Sequence, residues 1–488
     1  MATLKSSHAF AIACILVIAG CSDDVGWTPP PASISVGESR ETRLLEAIER
    51  DDLDCVVRML DKSLELAHVG GYKSPLRVAA KEGRLEICRH LTEEHQVDID
   101  DFHYGLGRPV IASAFDHPEV VRLLIDSGAD LETPITIGGN RSGIWLIKDG
   151  ATLLHYAARD GVPESISMLI NAGVDVHAST LECVEHGLTQ TPLEIAARYA
   201  QIENARAILE HPTYATEEEE TRLADLDKCL LIAARDRGIW RRPEDVDWPR
   251  MIALLLEHGA NPNTNLERVV AEGGVTPVQA LASEVHPTTP LENRRIKQAV
   301  SLLVSHGASL DLFSAVAIGD ERRVDEFLAE QPGSANARSY EGYPALHMAV
   351  AMDDGDMVAK LLNALADGEI RDTDDHRDNA GRTALHRAVS WRRHEIARQL
   401  IDAGVNVNAN ANARTTLHPV AAESAVVQMV QLLLDHGANP DAEDCDGNSP
   451  ADVSRQSRDN KSGAAREVRR MIKEQRRSQD RQSPVRNE

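Results

Sequence analysis

One two-part phrase recurs along this chain, and no other feature limits its fold so tightly. The first half is a turn followed by a short run of small residues. It reads Ser74-Pro-Leu-Arg-Val-Ala-Ala80, Thr152-Leu-Leu-His-Tyr-Ala-Ala158 and Thr191-Pro-Leu-Glu-Ile-Ala-Ala197, then Thr276-Pro-Val-Gln-Ala-Leu-Ala282, Pro344-Ala-Leu-His-Met-Ala-Val350, Thr383-Ala-Leu-His-Arg-Ala-Val389 and Thr415-Thr-Leu-His-Pro-Val-Ala421. The second half is an amphipathic segment ending in Gly, as in Val120 to Asp130, Met251 to Asn261, Ile396 to Asn406 and Val430 to Asn439. Gly404 and Gly437 stand 33 residues apart. A unit this short cannot bury its own apolar face, so neighbours must stack to share a core.

Each position of the phrase has a physical reason. Pro in the first helical turn loses no hydrogen bond and presets φ. The paired Ala residues let the next unit approach closely. Val, Leu and Leu at i, i+3 and i+4 of the second segment supply the shared core. The closing Gly takes the left-handed conformation that ends the helix, and Asn or Asp opens the turn to the next unit.

Phrase and period together resemble the ankyrin repeat, over roughly residues 41–477 and about twelve units, several degenerate. The resemblance implies an all-α solenoid of stacked helix–turn–helix units joined by hairpin loops. It also implies that hairpin tips and first helices face a protein partner. His155, His347, His386 and His418 recur within the phrase; the resemblance gives them a structural task, hydrogen-bonding neighbouring backbone, rather than metal binding or catalysis.

Composition agrees with thin helical layers. Aromatic residues make up only 3% of the chain, so Leu, Ala, Val and Ile must fill the core. Net charge is −25, from 52 basic and 77 acidic residues, which argues against a nucleic-acid partner. The charge is uneven: residues 455–488 hold 11 Lys or Arg against 5 Asp or Glu, a net of +6. None of the seven cysteines forms a CxxC pair, so zinc and redox motifs find no support. Cys55 and Cys88 fall on apolar helical faces and read as small core residues, and no disulfide framework is expected. No GxSxG, HExxH, GxxxxGK[ST] or GxGxxG motif occurs. The chain therefore reads as a non-enzyme with no cofactor, no metal and no small-molecule substrate.

The N-terminus reads as an address. Lys5 precedes an apolar run of 12 residues, Ala9 to Gly20, too short to span a bilayer. The run closes Ile18-Ala19-Gly20-Cys21, which resembles the lipobox of bacterial lipoproteins. That resemblance implies a signal peptide over residues 1–20, cleavage after Gly20, and lipidation of Cys21 with the several acyl chains that stable anchoring needs. It implies a lipid-anchored place in the bacterial cell envelope, and Ser22 leans toward an outer membrane facing the periplasm. Residues 21–40, rich in Pro and Ser, read as a tether.

Breaks in the period mark unusual surface. Gly128 to Gly173 spans 45 residues, so an insert after Glu132 carries Ile144, Trp145, Leu146 and Ile147, expected as an extended hairpin. A second insert, Asp236 to Pro249, carries Trp240, Arg241, Arg242 and Trp248, and a third runs from Glu284 to Arg295. Residues 212–222, with Glu217 to Glu220, read as an acidic linker. Trp and Arg dominate interface energies. Ile144, Trp145, Leu146, Trp240, Arg241, Arg242 and Trp248 are therefore the candidate partner-binding residues, with Trp145 and Trp240 as anchors. Regular spacing returns after Leu312, which divides the repeats into arrays over residues 41–311 and 312–477. The unit Ser449 to Arg477 keeps Val468, Met471 and Ile472 on one face and reads as a cap, and residues 478–488 as a disordered tail.

The functional expectation is a membrane-anchored scaffold for a protein partner. Two alternatives share the fold: an immunity protein that neutralises a toxic enzyme in the periplasm, and an exported or cytoplasmic effector whose apolar start is incidental.

Overall fold

The computed structural model describes residues 39–70, 73–101, 109–132, 150–180, 190–216, 218–235, 247–265, 274–365, 381–411, 414–422, 427–456 and 462–482. Cys21, Ile144, Trp145, Leu146, Trp240, Arg241 and Arg242 lie outside them.

Among the described residues, twelve helix pairs stack in chain order. Units 1 to 4 pair Arg40–Glu49 with Leu53–Leu60, Pro75–Lys81 with Leu85–Arg89, the 3-10 turn Val110–Ser113 with Pro118–Asp126, and Leu153–Asp160 with Pro163–Asn171. Units 5 to 8 pair Pro192–Arg198 with Ile202–Leu209, Glu219–Arg235 with Trp248–Glu257, Pro277–Ser283 with Pro290–Ser305, and Leu312–Ile318 with Glu321–Glu330. Units 9 to 12 pair Ala345–Ala351 with Gly355–Leu365, Ala384–Ser390 with His394–Asp402, Leu417–Ala422 with Val427–Asp435, and Pro450–Gln456 with Gly463–Gln482. First helices pack on first helices of the next unit, and second on second except between units 7 and 8, so one apolar core runs from Leu44 to Ile472. The fold is an all-α solenoid. The core crosses residue 312 without a break, through Leu303, Leu312 and Phe313.

The phrase works as its residues suggest. Thr191 caps its helix by accepting from the Glu194 N–H, with Pro192 opening the helix behind it. Gly128 and Gly404 take φ of +90° and +89°, a conformation that L side chains rarely adopt. The Asn residues that follow such turns tie units together. Asn408 donates its side-chain amide to the Gly437 carbonyl (2.9 Å) and accepts from the Asn439 N–H (2.6 Å). In unit 12, Val468, Met471 and Ile472 are buried while arginines cover the outer face.

Four expectations need correcting. Trp248 is not an exposed insert residue: it is 3% exposed, inside the core. Asp247 caps the helix and Pro249 sits in its first turn, so Asp-Trp-Pro starts a helix rather than closing a loop. The acidic stretch is no linker, because Pro212–Ala215 is helical and Glu219 and Glu220 form the first turn of a 17-residue helix, where the helix dipole favours carboxylates. The third insert is half helix, with Thr289 and Pro290 opening a 16-residue segment. The last helix continues through Gln482, past residue 477.

Candidate functional site

The fourth residue of each phrase decides how a unit holds the next one. His155 is fully buried. Its Nδ1 accepts from the Thr152 N–H (3.1 Å) and the Thr152 hydroxyl (3.0 Å), closing a capping box. Its Nε2–H donates to the Gln190 carbonyl of unit 5 (2.8 Å). His386 and His418 repeat the arrangement toward the Arg414 and Asn448 carbonyls, and His347 bonds the Arg382 carbonyl at 2.8 Å. With Nδ1 capping its own helix and Nε2 bridging to the next unit, His155, His386 and His418 have no lone pair left for a metal. Burial pushes His155 down to about 4, against which the Gln190 bond and Asp175 pull upward.

Other residues do the same work by different chemistry. Arg77 donates to the Asp101 carbonyl (2.7 Å) and the Pro109 carbonyl (3.4 Å) of the following segment. Glu194 is 3% exposed and pairs with Lys228 of unit 6 at 2.7 Å. Burial raises its carboxyl, and Lys228 opposes that shift. Gln279 caps with Thr276 and donates to Asp311 of unit 8 at 2.8 Å.

The first helices of units 1 to 4 line a groove of about 940 Å³. Leu45, Leu66, Val69, Val78 and Phe115 give it an apolar floor. Glu41, Glu46, Glu49, Glu82, Asp116 and Asp160 face it, against Lys73, Arg77 and Lys81. Several of these charges are already engaged: Lys81 pairs with Glu82, Glu46 with Arg50, Asp160 with Arg159, and Arg77 with backbone carbonyls. Among the described residues Glu41, Glu49 and Asp116 have no ion-pair partner, against Lys73 on the basic side, so the groove presents net negative charge over an apolar base. These residues carry no repeat signature. Glu41 and Glu49 occupy outward positions of the first helix of unit 1 and Asp116 the turn after the first helix of unit 3, all places that stacking leaves free to vary.

The described flanks show where two inserts leave the stack. The first departs at Glu132 and returns at Gly150, before the first helix of unit 4; the second departs at Arg235, after the first helix of unit 6. Helix pairs are antiparallel, so the two inserts are rooted at opposite ends of the helix layer and do not share one edge.

Models of the ankyrin repeat match residues 110–218, 312–411 and 412–445. The chain is 28% identical over 255 residues to a BTB/POZ domain and ankyrin repeat-containing protein of Oryza sativa subsp. japonica, covering 47% of this chain and 46% of that one. It is 22% identical over 458 residues to the E3 ubiquitin-protein ligase KEG of Arabidopsis thaliana, 90% of this chain and 22% of the other. An ankyrin repeat protein of Acanthamoeba polyphaga mimivirus matches at 28% over 146 residues, 30% of this chain and 18% of that one. The chain thus spans less than half the length of each of these relatives. Ankyrin repeats are protein-interaction scaffolds, and with its stacked units, capped phrases and matched segments this chain belongs to the ankyrin-repeat family.

Proposed function

We propose that the chain is a binding scaffold, without catalysis of its own, that presents the groove of units 1 to 4 to a basic segment of a protein partner. The observation that carries this reading is the groove itself: an apolar floor beneath unpaired Glu41, Glu49 and Asp116. Apolar burial supplies affinity there, and the carboxylates select for Lys or Arg and speed encounter. The inserts holding Trp145 and Trp240 extend the contact surface in this reading. Lipidation at Cys21 places the scaffold in a bacterial envelope, where the partner would be a periplasmic or membrane protein. A toxic enzyme with a basic surface is the second reading, favoured by the same charge.

The test combines affinity purification from membranes with charge reversal. Wild-type chain and the double variant Glu49→Lys/Asp116→Lys are each used as bait, and co-eluting proteins are identified by mass spectrometry. A basic partner retained by wild type and lost from the variant is expected. Partners that bind both baits equally would move the site away from the groove. Fatty-acid labelling that survives Cys21→Ser would remove the lipid anchor from the proposal.

A further inference from the structure

The second helix of unit 2 does not end as an α-helix. After Leu85–Arg89 the backbone widens into a π turn over His90–Glu94, and Gln96 then closes it at φ +51°. The widening has a packing logic. Leu91 stays fully buried, and the Thr92 hydroxyl donates to the Cys88 carbonyl (3.0 Å). It also has a chemical consequence. In an α-helix, residue i+5 lies roughly 140° around the axis from residue i; a π turn, closed by i→i+5 bonds, brings it back over residue i. His90 and His95 are that pair.

Their Nε2 atoms stand 3.0 Å apart, with ring centroids 4.7 Å apart and ring planes at 87°. A head-on N–H···N bond of that length would hold the centroids roughly 5.3 Å apart. Two imidazoles whose lone pairs converge at roughly 90° on one ion, each nitrogen about 2.1 Å from it, would place the nitrogens roughly 3.0 Å and the centroids roughly 4.6 Å apart. The observed contact meets hydrogen-bond geometry, and its centroid separation lies close to the second value.

We propose that His90 and His95 form a two-nitrogen clamp for a divalent late first-row transition metal, held in cis positions with water completing its coordination. Both side chains are half-buried, on the rim of the stack rather than sealed in its core. Asp61, His68 and Glu94 are the titratable groups facing His95. Among the described residues no group of three His, Cys, Asp or Glu side chains could hold a metal ion, so this clamp supplies two protein ligands and no more. The clamp is independent of the groove reading: its ligands stand in and just after a second helix, and the groove is lined chiefly by first helices.

Copper(II) is the probe, since it heads the affinity order for nitrogen sites. Untagged full-length protein is titrated with Cu2+ against excess glycine, and the electron paramagnetic resonance spectrum is recorded at one equivalent. The expected result is one ion per chain bound at least tenfold more tightly than any further ions, with hyperfine structure from two equatorial imidazole nitrogens. His90→Gln and His95→Gln should each weaken that first ion at least tenfold, while His436→Gln leaves it unchanged. Circular dichroism confirms that each variant is folded. If a variant unfolds, the wild-type spectrum alone decides between two imidazole nitrogens and fewer. Fewer than two nitrogens at the strong site, or a first equivalent unaffected by either substitution, overturns the proposal.

Discussion

The junction between units 4 and 5 and the junction between units 8 and 9 are built from the same position of the same phrase, yet they differ in how that position is used. His155 is buried and satisfied twice, capping its own helix and reaching the Gln190 carbonyl. Ser314 is equally buried and its hydroxyl has no hydrogen-bond partner among the described residues. Its helix is capped instead by Asp311, which accepts from the Ser314 N–H at 2.7 Å. Asp311 also receives the bridge from Gln279, so unit 8 is tied to the unit before it and not, through this position, to the unit after it. A repeat signature therefore specifies stacking geometry through its small and apolar residues, while the polar link between units is settled one junction at a time.

Removing the link where it is strongest should have the largest effect. His155→Ala leaves a cavity, removes one of the two hydrogen bonds to the Gln190 carbonyl (the Thr180 N–H remains) and leaves the Thr152 N–H uncapped. The expected loss is about 3 to 4 kcal/mol of stability, read from the urea unfolding midpoint. His386→Ala should cost less, because its Nε2 lies 3.3 Å from the Arg414 carbonyl against 2.8 Å for His155. Equal losses at the two sites would show that volume, not the bridge, carries the energy.

Acid should act on the same link with a slightly smaller effect. His155 titrates near 4 in the folded chain and near 6.5 when unfolded. Between those values the unfolded state binds more protons, so stability is fully present above pH 6.5 and falls as the pH drops toward 4. The loss amounts to about 3 kcal/mol at most. Glu194 works in the opposite sense, because burial raises its carboxyl and the folded state then takes up the extra proton. Comparing wild type with His155→Gln across this range cancels that contribution. Superimposable pH profiles for the two proteins would rule His155 out as the source of acid sensitivity.

Most of the stack was legible in the sequence because the phrase encodes it directly: Pro in the first turn, the paired Ala, the left-handed Gly, and the histidines of the capping boxes. Legibility failed where a start signal sat inside what spacing alone marked as an insert. Asp247-Trp248-Pro249 and Thr289-Pro290 are N-cap and first-turn sequences, and reading them as such would have placed Trp248 in the core and extended the second helix of unit 7. The π turn left no readable trace: Glu86 to Glu94 suits an α-helix, in which His90 and His95 fall on different faces. The groove carboxylates Glu41, Glu49 and Asp116 were hidden for another reason. They stand at positions the repeat leaves unspecified, and only the stacking of four units gathers them into one surface.

The weakest junction gives the smallest prediction and the one that most sharpens the comparison. A buried hydroxyl without a partner pays its desolvation cost with no hydrogen bond in return. Ser314 Oγ is in that position, inside a helix whose neighbours Phe313, Ala315 and Val316 are all buried and apolar. Ser314→Ala removes the hydroxyl, keeps the Cβ packing and improves helix propensity. The N-cap is untouched, because Asp311 accepts from the backbone N–H of residue 314, which alanine retains. The variant should gain up to about 1 kcal/mol, seen as a higher urea midpoint and slower amide exchange in units 8 and 9. The same logic predicts the opposite sign for His155→Ala, although both changes truncate the same phrase position to the same residue. A loss of stability in Ser314→Ala would mean that the hydroxyl has a partner in solution, a bound water being the simplest, and that the junction between units 8 and 9 is linked after all.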